Sequence, residues 1–146
     1  MLPRRILSGI AVMVDVALLA RGQPIAAKIL AERQGRPPRH LEALLQDLVR
    51  HGFLKGTRGP RGGYELARER RRISIGALVR SLEADTAAAT PPTPGRVVED
   101  VVVPGLAGAA AIYLDALDKI TVQDLTDAAE AGRTGRPGLS PAEFHI

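Results

Sequence analysis

Arg58-Gly59-Pro60-Arg61-Gly62-Gly63-Tyr64-Glu65-Leu66-Ala67 is the stretch on which the fold turns. Phe53-Leu54-Lys55-Gly56 before it and Tyr64-Glu65-Leu66-Ala67 within it are short strand candidates. Between them, Thr57 to Gly63 holds a proline, glycines and two arginines. Such a composition predicts a hairpin, because Gly62 and Gly63 can adopt the positive φ that a tight tip needs. A hairpin with exposed arginines just after a pair of helices is a wing.

The pair of helices is legible upstream. Ile6, Ile10, Met13, Val14, Ala17 and Leu18 recur at three- and four-residue steps, which predicts a helix over residues 4–20. Asp15 falls off that stripe. Gly22-Gln23-Pro24 is a turn with a stop signal. A second helix runs from Ile25 to Gln34 and ends at Gly35 in a C-cap position. Pro37 and Pro38 suit the first turn of a third helix, where a missing N–H does little harm. Leu41, Leu44, Leu45, Leu48 and Val49 give that helix an apolar stripe up to His51. Two helices joined by a tight Gly-containing turn form a helix–turn–helix, a pattern that becomes specific once the wing follows it.

Beyond the wing, Arg68 to Arg72 form a basic cluster around Glu69. Ser74 is a plausible N-cap for a helix with Ala77, Leu78 and Leu82 inside, ending near Asp85 and closing a head over residues 1–85. Residues 86–105 read as a loop and the start of a dimerisation segment. In it, the prolines of residues 86–95 deny regular structure, and Val97–Val103 reads as helix in preference to strand, kinked at Pro104. Leu106 to Lys119 is a firmer helix, with Leu106, Ala109, Ala110, Tyr113, Leu114 and Leu117 on one face. Its small residues Gly108 to Ala111 allow close approach of a second helix. That face is too apolar to leave open, so it predicts a homodimer surface, with packing on its own head as the competing use. A short closing helix starts at Thr121 with a capping-box partner at Asp124 and completes residues 106–131, while 132–146 reads as a flexible tail. The fold class is therefore mainly α with a small β-hairpin wing, a winged helix–turn–helix head plus a long dimerisation helix.

Composition supports this. Hydrophobic residues make up 45% of the 146 and aromatics 3%, so the core must be Leu, Ile, Val and Ala, which suits helices. There is no cysteine, hence no disulfide and no thiolate for zinc or an iron–sulfur cluster. The apolar run Ile6–Ala20 is interrupted by Ser8, Gly9 and Asp15 and reads as a buried helix, not a signal peptide. No stretch reaches membrane-spanning length without charge, and a cytoplasmic protein is expected. Residues 1–82 carry a balance of +10 and residues 83–146 one of −6, so the front part suits a polyanion.

The chemistry expected is recognition of double-stranded DNA. Arg36, Arg39, His40 and Glu42 sit at the start of the third helix, off the leucine stripe. Arg39 suits a guanine edge or phosphate and Glu42 a cytosine amino group. Arg58 and Arg61 flank the wing tip and suit a narrow minor groove. Arg4, Arg5 and Lys28 suit phosphates. An enzyme is not expected. His40 and His51 lie eleven positions apart, His145 is remote, and Asp115 with Asp118 reads as a solvated helix edge.

These stretches carry a resemblance. Asp15-Val16-Ala17-Leu18, Leu30-Ala31-Glu32-Arg33-Gln34-Gly35, His40-Leu41-Glu42-Ala43-Leu44-Leu45 and the wing occur in the order found in the bacterial Rrf-type transcription factors, the family of IscR, NsrR and CymR. Ile73-Ser74-Ile75-Gly76 and Ile120-Thr121-Val122-Gln123-Asp124-Leu125 resemble that family's later segments. The resemblance implies a homodimer on palindromic operator DNA that represses or activates promoters, a repressor being expected here, with the long helix crossing its partner's. It implies base discrimination at Glu42, minor-groove entry at Arg58, and a place near the bases for Arg39, where IscR has a small hydroxyl residue. The chain departs from IscR and NsrR in the loop before the dimer helix. Those proteins carry three cysteines there, whereas Asp85 to Gly105 has no cysteine or histidine, so no cofactor is expected. A protein or small-molecule effector stays open, as does a winged helix kept for protein interaction after loss of DNA binding.

Overall fold

The computed structural model describes residues 2–89 and 95–133. Helix α1 (Arg4–Leu19) is followed by α2 (Ala27–Gln34) and α3 (Pro38–Arg50), then by the hairpin β1 (Leu54–Thr57) and β2 (Gly63–Leu66). A 3-10 turn at Arg70–Arg72 leads into α4 (Ile75–Ala89). A π-helical turn, Val98–Val102, opens α5 (Val103–Asp118), and α6 (Val122–Arg133) closes the described chain.

The core is built around α1. Ile6, Val12, Met13 and Val16 are buried with Leu30 of α2, with Leu41, Leu45 and Leu48 of α3 and with Leu78 and Leu82 of α4. Each such aliphatic side chain contributes roughly 1.5–3 kcal/mol when taken out of water. Val122 of α6 joins the same cluster.

The buried carboxylate of Asp15 was not foreseen from its place off the stripe. It accepts from Arg33 Nε at 3.0 Å, Arg33 Nη2 at 2.9 Å and Gln34 Nε2 at 2.6 Å. These bonds pin the last turn of α2 to the middle of α1. Gly35 follows at φ 62°, ending α2 as its sequence indicated.

Three boundaries differ from the sequence reading. Helix α2 begins at Ala27, not Ile25, because Ile25 exchanges two backbone hydrogen bonds with Tyr64, at 2.9 and 2.8 Å. It is thereby a strand-like rung on the wing. Helix α4 passes Asp85 and continues to Ala89, since Thr86-Ala87-Ala88-Ala89 holds three strong helix formers and the first proline is Pro91. The looped segment expected over 86–95 is thus helical at its start, and residues 90–94 lie outside the described part. Helix α6 reaches Arg133, two residues into the expected tail; residues 134–146 are outside the described part.

Val97–Val103 is helical, and Pro104 does not break the helix. Proline lacks the N–H that would bond four residues back. The π turn ahead of it, in which Val103 donates to the Val98 carbonyl, absorbs the mismatch within a continuous helix. Val97–Val103 and the helix that follows are therefore continuous, as the helical reading of that segment expected. Val98–Asp118, 21 residues, is long and apolar enough by length and composition to cross a membrane, and it carries Glu99, Asp100, Asp115 and Asp118.

Two ion-pair systems fasten the remaining elements. Arg50 pairs with Asp47 at 2.9 Å and with Asp85 at 3.0 Å, and His51 Nε2 lies 2.9 Å from Asp85, tying the end of α3 to α4. Burial pushes the Asp85 carboxyl up, but the His51 and Arg50 contacts together outweigh it and hold it below its ordinary 3.8. At the other end, Arg80 bonds Asp118, which draws the Asp118 carboxyl below 3.8 as well. Backbone bonds Ile75 N–H to Ile120 O (2.8 Å) and Val122 N–H to Ile73 O (3.0 Å) dock the α5–α6 corner on the start of α4. Ser74 Oγ caps α4 by accepting from Ala77 N–H at 3.0 Å. Thr121 and Asp124 form a reciprocal capping box at 2.9 and 3.1 Å.

Replacing Asp15 by Ala is expected to destabilise the protein by about 2 kcal/mol, as lost charge-assisted bonds to partly exposed partners would. A urea midpoint unchanged from the parent would contradict this. Asp85 and Asp118 have folded-state values below 3.8, so their contribution is complete above that pH and is lost as pH falls through the depressed values. Acid titration of the urea midpoint should show this loss below about pH 4, and Arg80→Ala should remove the Asp118 part of it.

Candidate nucleic-acid interface

Helix α3 presents two faces. Leu41, Leu44, Leu45 and Leu48 are buried against the core, while Arg39, Glu42, Ala43, Gln46 and Arg50 are exposed at three- and four-residue spacing. The second set forms a continuous polar stripe along the helix. Arg39, His40 and Glu42 occupy its first turns, beyond Pro37 and Pro38.

The wing stands beside this stripe. Its strands pair antiparallel from Leu54↔Leu66 to Thr57↔Gly63, leaving Arg58–Gly62 as the tip. The positive φ values fall at Gly59 (111°) and Gly63 (153°), not at Gly62. Gly62 is required for a different reason: a Cβ there would lie 2.2 Å from the Thr57 carbonyl oxygen. At Gly63 a Cβ would meet the Ile25 carbonyl oxygen at the same 2.2 Å. The backbone contact that anchors the wing to the turn before α2 thus leaves no room for a side chain.

Between α3, the wing and the start of α2 lies a cleft of about 580 Å³. Gln46, Val49 and Arg50 line it from α3, and Thr57, Arg58 and Gly59 from the wing. Ala26 and Ala27 line it from α2, where no side chain caps the helix. The N–H groups of Ala27 and Lys28 have no acceptor among the described residues. That end of α2 carries the positive pole of its dipole and is suited to an anionic oxygen.

The sequence-predicted residues separate into groups. Lys28 and Arg36 come together on the elbow between α2 and α3, around Gly35 and Pro38. Arg58 faces Gln46 and Arg50 across the cleft, while Arg61 is exposed on the tip outside it. Arg4 is exposed at the start of α1. Arg5 differs from the rest. It is half-buried and its guanidinium bonds Asp47, so it ties α1 to α3. Among the described residues, Arg4, Lys28, Arg36, Arg39, Arg58 and Arg61 have no acidic partner, whereas Arg5, Arg21, Arg33, Arg50 and Arg80 have one. Gln46, Arg50 and the open end of α2 were missed in the sequence. Gln46 was findable, since it continues the spacing of Arg39 and Glu42; the α2 terminus was not, because it depends on Ile25 leaving the helix.

Comparison with known proteins agrees with this geometry. Residues 2–128 match the Rrf2 family, described as an iron-dependent transcriptional regulator. Protein rrf2 of Nitratidesulfovibrio vulgaris is 36% identical over 75 residues, which is 51% of this chain and 50% of that protein. The chain thus spans about half the length of the curated relatives it matches. Among solved structures, T. potens IscR superposes with a TM-score of 0.72 at 30% identity, covering 94% of this chain and 93% of that one. CymR of B. subtilis, titled the global cysteine regulator, gives 0.66 at 28% identity, covering 87% and 96%.

The family description implies iron, and the residues present do not fit it. The sequence contains no cysteine. Among the described residues, no group of three or more His, Asp or Glu side chains is placed to hold a metal ion.

Gly63→Ala is expected to destabilise the protein by about 1–3 kcal/mol through strain at the anchored wing. Amide exchange at Ile25 and Tyr64 should accelerate in parallel. Unchanged protection at both positions would show that the wing tolerates a side chain there.

Proposed function

The chain belongs to the Rrf2 family of transcriptional regulators, and from that premise we propose that it is a sequence-specific binder of double-stranded DNA. In this reading it acts as a cytoplasmic homodimer on palindromic operators, as a repressor, without an iron–sulfur cluster. The observation that carries the reading is the set of cations on the elbow, the start of α3 and the wing that have no acidic partner among the described residues and surround an exposed polar stripe.

On DNA, α3 lies in the major groove. Arg39, His40, Glu42 and Gln46 face base edges: arginine matches guanine, glutamine adenine, and glutamate the cytosine amino group. Arg58 and Arg61 extend from the wing into the adjacent minor groove. Lys28, Arg36, Arg4 and the open N–H groups of α2 hold phosphates and fix the register. Arg5 contributes indirectly, by holding α3 on α1.

Helix α5 supports the dimer. It is apolar almost all round, a pattern stable only when covered. Among the described residues, only Leu114, Ala116 and Leu117 near its end are partly covered; Leu106 is 61% and Ile112 73% exposed. Gly108-Ala109-Ala110-Ala111 permits close contact between two such helices. A dimer is favoured over a membrane span because Arg80 ties Asp118, and so the end of α5, to the water-exposed head. Two heads on a two-fold axis then meet two half-sites about one helical turn apart, about 34 Å.

A mobility-shift series on DNA upstream of the chain's own coding region tests the reading. Binding should fall steeply with salt, and the double substitution Arg58→Ala/Arg61→Ala should weaken it about tenfold or more with the fold intact. Glu42→Ala and Gln46→Ala should each relax discrimination at one base pair by roughly 1–3 kcal/mol. Affinity no greater than that of an unrelated basic protein at low salt would refute DNA recognition and favour a protein-interaction role. In sedimentation, the parent should be a dimer, and Leu106→Glu/Ile112→Glu a folded monomer with lost operator affinity. A monomeric parent would refute the dimer.

A further inference from the structure

A second cleft, also of about 580 Å³, opens where the end of α1, strand β2, the 3-10 turn and the end of α6 converge. Ala17, Ala20 and Leu66 form its apolar part. Four charged residues complete the lining: Arg21, Arg70, Glu65 and Glu130. The volume is in the range of small-molecule sites, while the lining calls for a polar guest.

Arg70 is the unusual member. It is half-buried, yet among the described residues it has no acidic or hydrogen-bonding partner. Its neighbours Arg71 and Arg72 share Glu69, at 2.7 and 3.9 Å. A guanidinium partly withdrawn from water without a counter-charge is unfavourable until an anion meets it. Arg21 is held only loosely, 3.5 Å from Glu130, and is 78% exposed. On the other side, the Glu65 carboxylate lies 3.3 Å from Lys55 on the facing strand.

Two cations and two carboxylates around a small apolar floor discriminate between ligand classes. A nucleic acid backbone is disfavoured by Glu65 and Glu130, and a metal cation by Arg21 and Arg70. A molecule with one charge of each sign satisfies both. We propose that this cleft binds a free α-amino acid. Arg70 and Arg21 hold its carboxylate, Glu65 and Glu130 its ammonium group, and a short apolar side chain rests on Ala17, Ala20 and Leu66.

Occupation has a consequence for the wing, which rests on the DNA reading given above. Lys55 and Glu65 are directly opposed in the hairpin register. A ligand ammonium that draws on Glu65 loosens that cross-strand pair and links β2 to α6, and α6 is the continuation of α5. The ligand and the operator then influence each other's affinity by the same factor.

The test begins with the DNA-free full chain, so that its outcome is independent of operator recognition. Calorimetric titration with the common L-amino acids should find at least one with Kd below about 1 mM, and its des-amino and decarboxylated analogues should bind at least about tenfold more weakly. Arg70→Ala should weaken binding about tenfold or more without moving the urea midpoint, since Arg70 has no side-chain partner among the described residues; Glu130→Gln should weaken it independently. No binding of any amino acid at about 10 mM would overturn the proposal. So would equal binding of the des-amino analogue, or unchanged affinity in both variants. Operator titration with the cleft saturated tests the coupling separately, and an unaltered operator affinity would overturn the coupling alone.

Discussion

Everything presented by α2 and α3 depends on one buried carboxylate. Asp15 sits in the middle of α1, 9% exposed, and takes three donor contacts from Arg33 and Gln34. An ionised carboxylate in such a place is stable only when its lone pairs are filled. The filling fixes where α2 ends, and hence where Gly35 turns the chain and where α3 starts. Leucines alone would hold α3 against α1, but apolar contact is non-directional. The hydrogen bonds supply the direction. This elbow then sets which side of α3 meets solvent, and the polar stripe from Arg39 to Arg50 is the result.

The cations of the head divide by what they face. Arg5, Arg33, Arg50 and Arg80 are joined to Asp47, Asp15, Asp85 and Asp118, and each pair spans two helices. Those charges act as fasteners between elements. Among the described residues, the cations on the elbow, the start of α3 and the wing tip are left without acidic partners. Paired and unpaired arginines are chemically identical in the sequence, so net charge measures both together. Only the unpaired set projects a field into solvent that a polyanion can meet.

The rear of the molecule follows a different logic. Pro104 and the acidic pair Glu99 and Asp100 suggest an interruption, yet the π turn carries the helix through. The product is a long, apolar, uncovered helix whose far end is tied to the head by Arg80 and by the backbone bonds at Ile73 and Ile75. That docking directs α5 away from its own core. The competing possibility, that α5 folds back over the head, is met among the described residues only at Leu114, Ala116 and Leu117.

The sequence by itself determined the element types, the helix–turn–helix with its wing, and the family. These rest on local rules: apolar spacing, glycine at turns, capping at Ser74 and Thr121. It also determined that thiolate cluster chemistry is unavailable, because ligand count needs no geometry. The tertiary structure alone decided which charges are spent within the fold. Asp15 looked like an off-stripe residue and Arg5 like a phosphate contact, but each meets a partner distant in sequence. It also decided that Ile25 joins the wing, that α4 outruns Asp85 and that Pro104 is absorbed. Each outcome is set by contacts across the chain or by how neighbouring turns share hydrogen bonds, and neither is encoded in the spacing of residue types along one segment.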